Sequence, residues 1–302
     1  MRTICTLYNK IKPCEKPSAI CLGYFDGLHI GHQSLINYAK EHSKLPVGVL
    51  TFDQPISKFI SNGKSQESLT SLTDRFEAIS KLNIDYFYIL QIDKKFIDLT
   101  DDEFIVLLKK MNIKEVYVGE DYSYGKNALG TIKKLSKNFT VSVVDIKNVN
   151  NEKVDTQKII SYIKDGNIKD TNTLLGKNYK ISGEIENGNQ IGRKIGFPTL
   201  NIKRDIDYVI PKFGVYKTIT FVENAIFPSI TNIGIKPTVN KNKNFTIETH
   251  LIGFDGEISS NHVEIEFLDY VRPEKKFASL EELKTQIKED IKCTLWINNW
   301  YS

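Results

Sequence analysis

The hydrophobic pattern of the chain changes near Gly176. Before this residue, short apolar runs alternate with amphipathic helical segments, and that alternation favours a parallel sheet covered by helices. From Tyr179 onward, six short strand-like segments follow one another, separated by turns rich in Gly, Pro and Asn, which favours an antiparallel barrel. Because 302 residues are enough for two hydrophobic cores, we predict two domains, 1–175 and 176–302.

The periodicity of apolar residues places the expected elements along the chain. The first domain has strands at Ala19–Gly23, Val47–Phe52, Tyr86–Leu90 and Glu115–Val118, and helices at Gln33–His42, from Ser71 with Thr73 or Asp74 as cap, and at Asp102–Lys110. The barrel has strands at Tyr179–Ile185, Pro198–Ile202, Gly214–Phe221, Phe227–Ile233, Phe245–Ile252 and His262–Phe267. A terminal helix follows, capped by Ser279 and Glu282, with an apolar stripe of Leu280, Leu283, Ile287, Ile291 and Leu295 that we expect to pack on the barrel.

A glycine-bearing turn joins the first apolar strand, Ala19–Gly23, to the first helix. This arrangement aims the N-terminus of the helix at an anion. His29 and His32 lie three residues apart on the first helical turn, so they share one face. Imidazole groups placed there can donate hydrogen bonds to phosphate oxygens and stabilise charge on a displaced pyrophosphate. The pattern favours nucleotide binding over a purely structural role for the histidines.

Residues 23–32, GYFDGLHIGH, closely resemble the N-terminal motif of the FMN adenylyltransferase domain of bacterial FAD synthetases, within the HxGH nucleotidyltransferase superfamily. The resemblance implies a doubly wound α/β domain that binds ATP at the carboxyl ends of its parallel strands. It also implies nucleotide-binding roles for Gly23, Phe25, Asp26, Gly27 and Gly31, and catalytic roles for His29 and His32. The loop Gly119–Gly125 is similar to the family's next loop, which implies that Asp121 helps to hold substrate.

Two segments depart from the pattern of this family. The family has Pro-His-Pro shortly after the second strand, whereas the chain has Asp53-Gln54-Pro55-Ile56 and lacks that histidine. The family's Ser-Ser-Thr-x-x-Arg run corresponds to Val154–Ile160, which keeps neither the serine pair nor the arginine that would donate to ATP phosphates. Asp155 brings a negative charge to this segment, and Lys158 is the candidate substitute cation.

The segment IGRKIGFPTLN in the second domain carries features of a phosphate-binding loop. Gly192 and Gly196 permit backbone angles and close approaches that a side chain blocks, and Arg193 stands beside the first of them. Thr199 and Asn201 lie two residues apart, so on a strand they point to one face. Both carry hard oxygens suited to Mg²⁺ that phosphates also hold. Taken alone, the segment is equally compatible with a glycine-rich hairpin that has a polar strand face.

Four further motifs follow this segment, at Pro211–Tyr216, Asn232–Thr238, Glu248–Leu251 and Arg272–Glu274. In this order and spacing, the five motifs resemble the riboflavin kinase module of flavokinases and of bacterial bifunctional FAD synthetases. The resemblance covers about Lys177 to Cys293. One departure is Gly256–Asn261, which lacks the Leu-Tyr-Gly usual after the ETHL strand.

The second resemblance implies a role for each motif. Glu248 alternates onto the more polar face of its strand and would orient or deprotonate the ribityl hydroxyl of riboflavin. Thr199 and Asn201 would surround Mg²⁺-ATP, and the Gly192–Gly196 loop would lie against the phosphates. Arg272 would lie near the flavin.

Composition excludes several other classes of function. A net charge of +4 and the absence of clustered Lys/Arg interleaved with aromatics give no support to nucleic-acid binding. Cys5, Cys14, Cys21 and Cys293 have neither CxxC nor zinc-site spacing, which favours reduced structural thiols. No apolar signal core and no stretch of membrane-spanning character is visible, so we expect a cytoplasmic protein without an obligate protein partner.

The residues and the two resemblances together predict FAD biosynthesis. We expect the second domain to phosphorylate riboflavin to FMN with Mg²⁺-ATP, and the first to adenylylate FMN to FAD. The altered Val154–Ile160 segment leaves open a kinase whose N-terminal domain is not catalytic. A flavin-binding regulatory protein without turnover is a further alternative, which the intact Thr199, Asn201 and Glu248 disfavour.

Overall fold

The computed structural model of the chain describes residues 1–13, 15–60, 67–145, 148–149, 152–186, 196–235, 245–256 and 258–294. The chain forms two compact units, Met1–Gln66 with Thr70–Thr156, and Glu67–Leu69 with Gln157–Ser302. The first contains the parallel sheet and the second contains the barrel.

Two helices, Thr156–Asp165 and Ile168–Leu175, precede the domain boundary predicted at 175–176. From Gln157 onward, they belong to the unit that contains the barrel. The side-chain amide of Asn172 donates to the backbone oxygen of Phe267 at 2.8 Å, and its oxygen accepts from the backbone nitrogen of Tyr179 at 2.8 Å. These bonds tie the second helix to two barrel strands, so the change in sequence pattern and the division between compact units fall at different residues.

The sheet of the first unit consists of β1 (Arg2–Leu7), β2 (Ser18–Leu22), β3 (Val47–Phe52), β4 (Tyr86–Gln91), β5 (Ile113–Gly119) and β6 (Thr140–Val144). Its order is β1-β4-β3-β2-β5-β6, and every neighbouring pair is parallel. Both faces are covered, because Ile20 and Leu22 belong to one apolar cluster and Ala19 and Cys21 belong to another. The predicted doubly wound α/β fold is therefore confirmed.

The helices predicted before Gly176 are present, together with short ones that were not predicted. They are α1 (Ile30–His42), α2 (Ser57–Ile60), α3 (Leu72–Ser80), α4 (Lys94–Ile97), α5 (Asp101–Lys110), α6 (Ile132–Leu135), α7 (Thr156–Asp165) and α8 (Ile168–Leu175), with a short antiparallel pair of strands, β7 (Asn148–Val149) and β8 (Glu152–Lys153), before α7. The cap predicted for α3 was wrong. Ser71 is the N-cap, and Asp74 is its reciprocal partner in a capping box, because the Ser71 hydroxyl accepts from the backbone of Asp74 at 3.0 Å.

The barrel of the second unit is closed and antiparallel, as predicted. Its strands are β9 (Tyr179–Glu186), β10 (Leu200–Arg204), β11 (Gly214–Val222), β12 (Ala225–Ile235), β13 (Phe245–Leu251) and β14 (His262–Arg272), in the order β10-β13-β12-β11-β14-β9. Five buried hydroxyls form a continuous hydrogen-bonded chain across three of these strands, at 2.7–2.8 Å: Thr220, Ser229, Thr218, Thr231 and Thr249. The chain satisfies polar groups that would otherwise be costly to bury.

The terminal helix α9 (Leu280–Thr294) packs on the barrel, which confirms its predicted place, although not its whole apolar stripe. Leu283 and Ile287 face the barrel wall, but Leu280 is 58% exposed and Leu295 lies outside the described residues. The Ser279 hydroxyl accepts from the Glu282 backbone at 3.1 Å, as a cap does. Among the described helices, none is both long and apolar enough to cross a membrane.

Candidate active sites

A cavity of about 720 Å³ opens at the carboxyl ends of β2 and β5 in the first unit. These neighbouring strands mark the point where the strand order reverses, since the chain runs from β2 to β3 and β4 on one side and to β5 and β6 on the other. Open α/β sheets bind ligands at such switch points. The loops after the two strands line the cavity through Gly23–Phe25 and Gly119–Gly125.

The turn that follows β2 has an unusual backbone. Phe25, Gly27 and Leu28 have φ values of 57°, 72° and 43°. Residues other than glycine rarely adopt this region of backbone conformation. The buried Asp26 carboxylate accepts from the backbone and hydroxyl of Thr70 at 2.9 and 2.8 Å, and Thr70 Oγ1 accepts from the Gly27 backbone at 2.9 Å. These bonds hold the turn in its strained conformation.

The two motif histidines stack on each other. Their ring centroids are 3.6 Å apart with an interplanar angle of 20°, and the edge of Phe25 packs at 5.1 Å from His32. His29 is the N-cap of α1, since its Nδ1 accepts from the backbone nitrogen of His32 at 3.4 Å. That contact favours the neutral tautomer with hydrogen on Nε2, which leaves one ring donor on His29 for a ligand.

Burial keeps both imidazoles neutral. It lowers the pKa of His29 to about 4, although the negative charge of Asp155 partly opposes the shift. Burial, with a smaller contribution from the charge of His29, holds the pKa of His32 well below its usual range. His32 Nδ1 is buried without a hydrogen-bond partner in the described part of the chain. A ligand in the cavity therefore meets neutral imidazoles, not cations.

The structure separates the predicted residues of this site into two groups. Gly23, Phe25, His32 and Asp121 line the cavity. The remaining motif residues are not among those that line it: Asp26 and Gly27 are bound to Thr70, Gly31 is buried in α1, and His29 stacks on His32. Asp155 acts electrostatically on His29, so the altered segment Val154–Ile160 lies near the histidine pair.

A second cavity, of about 340 Å³, lies in the barrel unit between the outer face of the barrel and α9. Thr199, Glu248 and Arg272 line it, so three of the residues predicted from separate motifs meet in one place. The remaining lining comes from the strands, the terminal helix and the segments beside them: Phe197, Val215, Ile230, Asn232, His250, Glu274, Lys275, Phe277, Leu283, Ile287 and Asp290. Aromatic and aliphatic side chains with a few polar groups are typical of a small-molecule site.

The strand register places Glu248 between two asparagines. It lies directly opposite Asn201 on β10 and opposite Asn232 on β12, and directly opposed residues of antiparallel strands share one face. Thr199, Asn232 and Glu248 line the cavity and supply hydroxyl, amide and carboxylate oxygens, whereas Asn201 is placed beside them by the strand register and is not part of the lining. Hard oxygen donors suit Mg²⁺, so the residues fit the metal that the family implies. Asn232 was not predicted as a site residue, although it lies in a motif noted from the sequence.

Arg272 is held in place by the terminal helix. Its Nε donates to both carboxylate oxygens of Asp290 at 2.9 and 3.1 Å, and its Nη2 donates to one of them at 2.7 Å. The Asp290 side chain is 4% exposed and that of Arg272 is 19% exposed. Gln286 adds a hydrogen bond to the same carboxylate at 3.2 Å. Sequence reasoning missed Asp290, because a carboxylate on an amphipathic helix gives no signal of its distant partner.

Two further predicted features lie at the edge of this site. Gly196 has a φ of 85°, and a Cβ placed there would meet no atom within 4 Å. Glycine is therefore favoured here by the backbone angle and not by close packing. Gly192 and Arg193 lie outside the described residues. His250 Nδ1 lies 2.8 Å from the backbone oxygen of Pro198, and burial lowers the pKa of this imidazole.

The fold and the two cavities define a nucleotide-binding α/β domain joined to a small-molecule-binding barrel. The chain matches the family described as FAD synthetase over residues 11–162 and the family described as riboflavin kinase over residues 175–297. It belongs to the family of bifunctional riboflavin kinase/FMN adenylyltransferases.

Individual relatives match almost end to end. The bifunctional riboflavin kinase/FMN adenylyltransferase of Listeria monocytogenes is 35% identical over 280 residues, which are 90% of this chain and 89% of that protein. The Bacillus subtilis protein of the same name is 31% identical over 94% of this chain and 93% of its own length. A crystal structure titled as a macrolide-efflux protein from Streptococcus pneumoniae is 28% identical and has a TM-score of 0.88, covering 99% of this chain and all of that one.

Proposed function

We propose that the chain makes FAD from riboflavin in two ATP-dependent steps, each in its own unit. The barrel unit phosphorylates riboflavin to FMN, and the α/β unit transfers AMP from ATP to FMN. The observation that carries this proposal is that each unit has its own cavity, and that motif residues from distant parts of its sequence meet there. The cytoplasmic location and the lack of nucleic-acid and protein partners stay predictions from the sequence.

In the kinase step, the 5′-hydroxyl of riboflavin attacks the γ-phosphorus of ATP. Glu248 accepts the hydroxyl proton as the new P–O bond forms and the bond to the β-phosphate oxygen breaks, which releases ADP. Asn201 and Asn232 flank Glu248 on the barrel wall. The apolar side of the cavity, with Phe277, Leu283 and Ile287, suits the flavin ring.

Thr199 and Asn201 are the residues that would hold Mg²⁺. The ion would neutralise charge on the ATP phosphates, as in other phosphoryl transfers. Arg272, fixed by Asp290, adds a cation that faces the same cavity and is therefore able to orient an anionic or carbonyl group of the substrates.

In the adenylyl step, a phosphate oxygen of FMN attacks the α-phosphorus of ATP and pyrophosphate leaves. No covalent enzyme intermediate is needed. The neutral His29 and His32 donate hydrogen bonds toward the leaving pyrophosphate, and the N-terminus of α1 adds its partial positive charge. Asp121, on the loop after β5, faces the same cavity and helps to hold a substrate.

Two variants that each disable one site test the assignment. Glu248→Gln keeps the size of the side chain and removes the base, so FMN formation is expected to fall roughly 100- to 10,000-fold, while FAD formation from supplied FMN is retained. His32→Asn is expected to do the reverse. Each variant is the control for the other, and rates are measured by separating riboflavin, FMN and FAD. Loss of both activities in either variant, or of neither, contradicts the assignment.

A further inference from the structure

Arg75 is a buried cation whose contacts all lead toward the adenylyl site. It is 1% exposed, and its Nη1 donates to the backbone oxygen of Tyr24, to Thr51 Oγ1 and to the backbone oxygen of Phe52, at 2.9, 2.9 and 3.1 Å. Its guanidinium carbon lies 4.2 Å from the ring centroid of Tyr24. The side chain thus ties together the carboxyl ends of β2 and β3, and Tyr24 and Phe52 both line the cavity.

Among the residues that the structure describes, the buried guanidinium of Arg75 lacks the counter-ion that a structural arginine usually has. Within the described part of the chain, no carboxylate contacts the guanidinium, and its Nε is buried without a hydrogen-bond partner. A buried charge without a counter-ion destabilises a fold unless its hydrogen bonds compensate. Violations of this kind concentrate at functional sites.

One acceptor of Arg75, the backbone oxygen of Tyr24, immediately precedes the strained turn. Tyr24 is followed by Phe25, Gly27 and Leu28, all with positive φ, and then by the histidine pair. Thr51 Oγ1 also donates to the Tyr24 oxygen at 2.7 Å, so one backbone oxygen receives two bonds. Thr70, five residues before Arg75, holds the other side of the same turn through Asp26.

We propose that Arg75 is a positioning residue of adenylyl transfer. It fixes the turn after β2 so that the N-terminus of α1 and its two histidines meet the phosphates of ATP. It acts through Tyr24 and Thr51 rather than by contact with substrate, since it is not among the residues that line the cavity. This role rests on the proposed adenylyl transfer in the first unit. Because displacement by about 1 Å costs roughly 100-fold in rate, the loss of such a clamp affects turnover more than binding.

The experiment uses four variants of the full chain. Arg75→Met removes the clamp, and Arg75→Lys keeps a charge but cannot reach several acceptors at once. Thr51→Val removes one acceptor while conserving volume. Arg2→Met is the matched control, since among the described residues Arg2 pairs with Glu15 on the surface of the same unit, with side chains 64% and 79% exposed. For each, calorimetry measures the stoichiometry of ATP binding, and chromatography gives the kcat and KM of FAD formation and the rate of FMN formation.

For Arg75→Met we expect full binding stoichiometry, a kcat of FAD formation roughly 30- to 100-fold lower, and KM values within about threefold of the wild type. Arg75→Lys and Thr51→Val should fall between Arg75→Met and the wild type, and Arg2→Met should match the wild type. FMN formation should stay unchanged in all four. A kcat within twofold of the wild type for Arg75→Met overturns the proposal. If that variant does not fold, an unchanged kcat for Thr51→Val overturns it instead.

Hydrogen exchange separates failure of this proposal from failure of the proposed function. If the wild type forms no FAD, the adenylyl transfer is wrong, but the clamp can still be measured. Amides of residues 24–29 should then exchange faster in Arg75→Met than in Arg2→Met, whereas those of β5 should not change. Equal protection of residues 24–29 in both variants would show that Arg75 does not position the turn.

Discussion

The buried His29 should make the first unit acid-sensitive in a way that can be calculated. Its imidazole is 2% exposed, and burial lowers its pKa from 6.5 to about 4. In the unfolded chain it takes up a proton near pH 6.5, whereas in the folded chain it stays neutral until about pH 4. The unfolded state therefore binds more protons across this window, so the folded state loses stability as the pH falls from about 6.5 toward 4.

The size of the effect follows from the two pKa values. Between pH 7 and pH 5, linkage gives a loss of about 2 kcal/mol in the free energy of unfolding, from this histidine alone. His29→Asn removes the titration, and asparagine is also a good N-cap, so the first turn of α1 keeps its capping bond. Any cavity left by the smaller side chain changes stability by the same amount at each pH.

Urea unfolding followed by far-ultraviolet circular dichroism at pH 7, 6 and 5 tests this prediction. Groups that do not interact with His29 titrate equally in both proteins, so the difference in pH dependence reports His29 and its immediate neighbours. The wild type should lose about 2 kcal/mol more than His29→Asn between pH 7 and pH 5. Equal losses would mean that His29 has an ordinary pKa, and the description of a neutral histidine pair at the phosphate site would be wrong.

Three further predictions concern the barrel unit. Thr231→Val interrupts the row of buried hydroxyls at the residue that bonds both Thr218 and Thr249. Thermal or urea unfolding should therefore show a loss of about 1–3 kcal/mol in the free energy of unfolding. An unchanged free energy of unfolding would contradict a stabilising role for the row of hydroxyls. Asp290→Asn leaves the Arg272 cation without its buried counter-charge. We therefore expect a stability loss of about 3 kcal/mol and a higher KM for riboflavin in steady-state assays. Unchanged values of both would exclude a role for the Arg272–Asp290 pair. Removal of divalent cations with EDTA should stop FMN formation and excess Mg²⁺ should restore it, whereas turnover in EDTA would refute the metal site.

Burial explains which strands could be predicted from the sequence. β2 and β3 are buried along their whole length, so they read as uninterrupted apolar runs. β1 and β6 are the two edges of the sheet, and most of their residues are exposed or half-buried. Without an apolar run or a clean alternation, neither gives a signal at short range, and neither was predicted.

The candidate sites show the same division between local and distant information. Glu248, Thr199 and Arg272 each lie in a motif that resembles the riboflavin kinase module, so the resemblance could propose them as site residues before the fold was known. Asp290 and Arg75 are charged residues on amphipathic helices, where a charge usually faces solvent. Only packing reveals that one is bound to Arg272 and the other to the end of β3.

The most direct test of the whole account is to incubate the purified chain with Mg²⁺-ATP and either riboflavin or FMN, and to separate the flavins by chromatography. We predict FMN and FAD from riboflavin, and FAD from supplied FMN. FMN without any FAD would contradict the account of the first unit, and would mean that the change to Asp155 and its neighbours has removed adenylyl transfer from a fold that is otherwise kept.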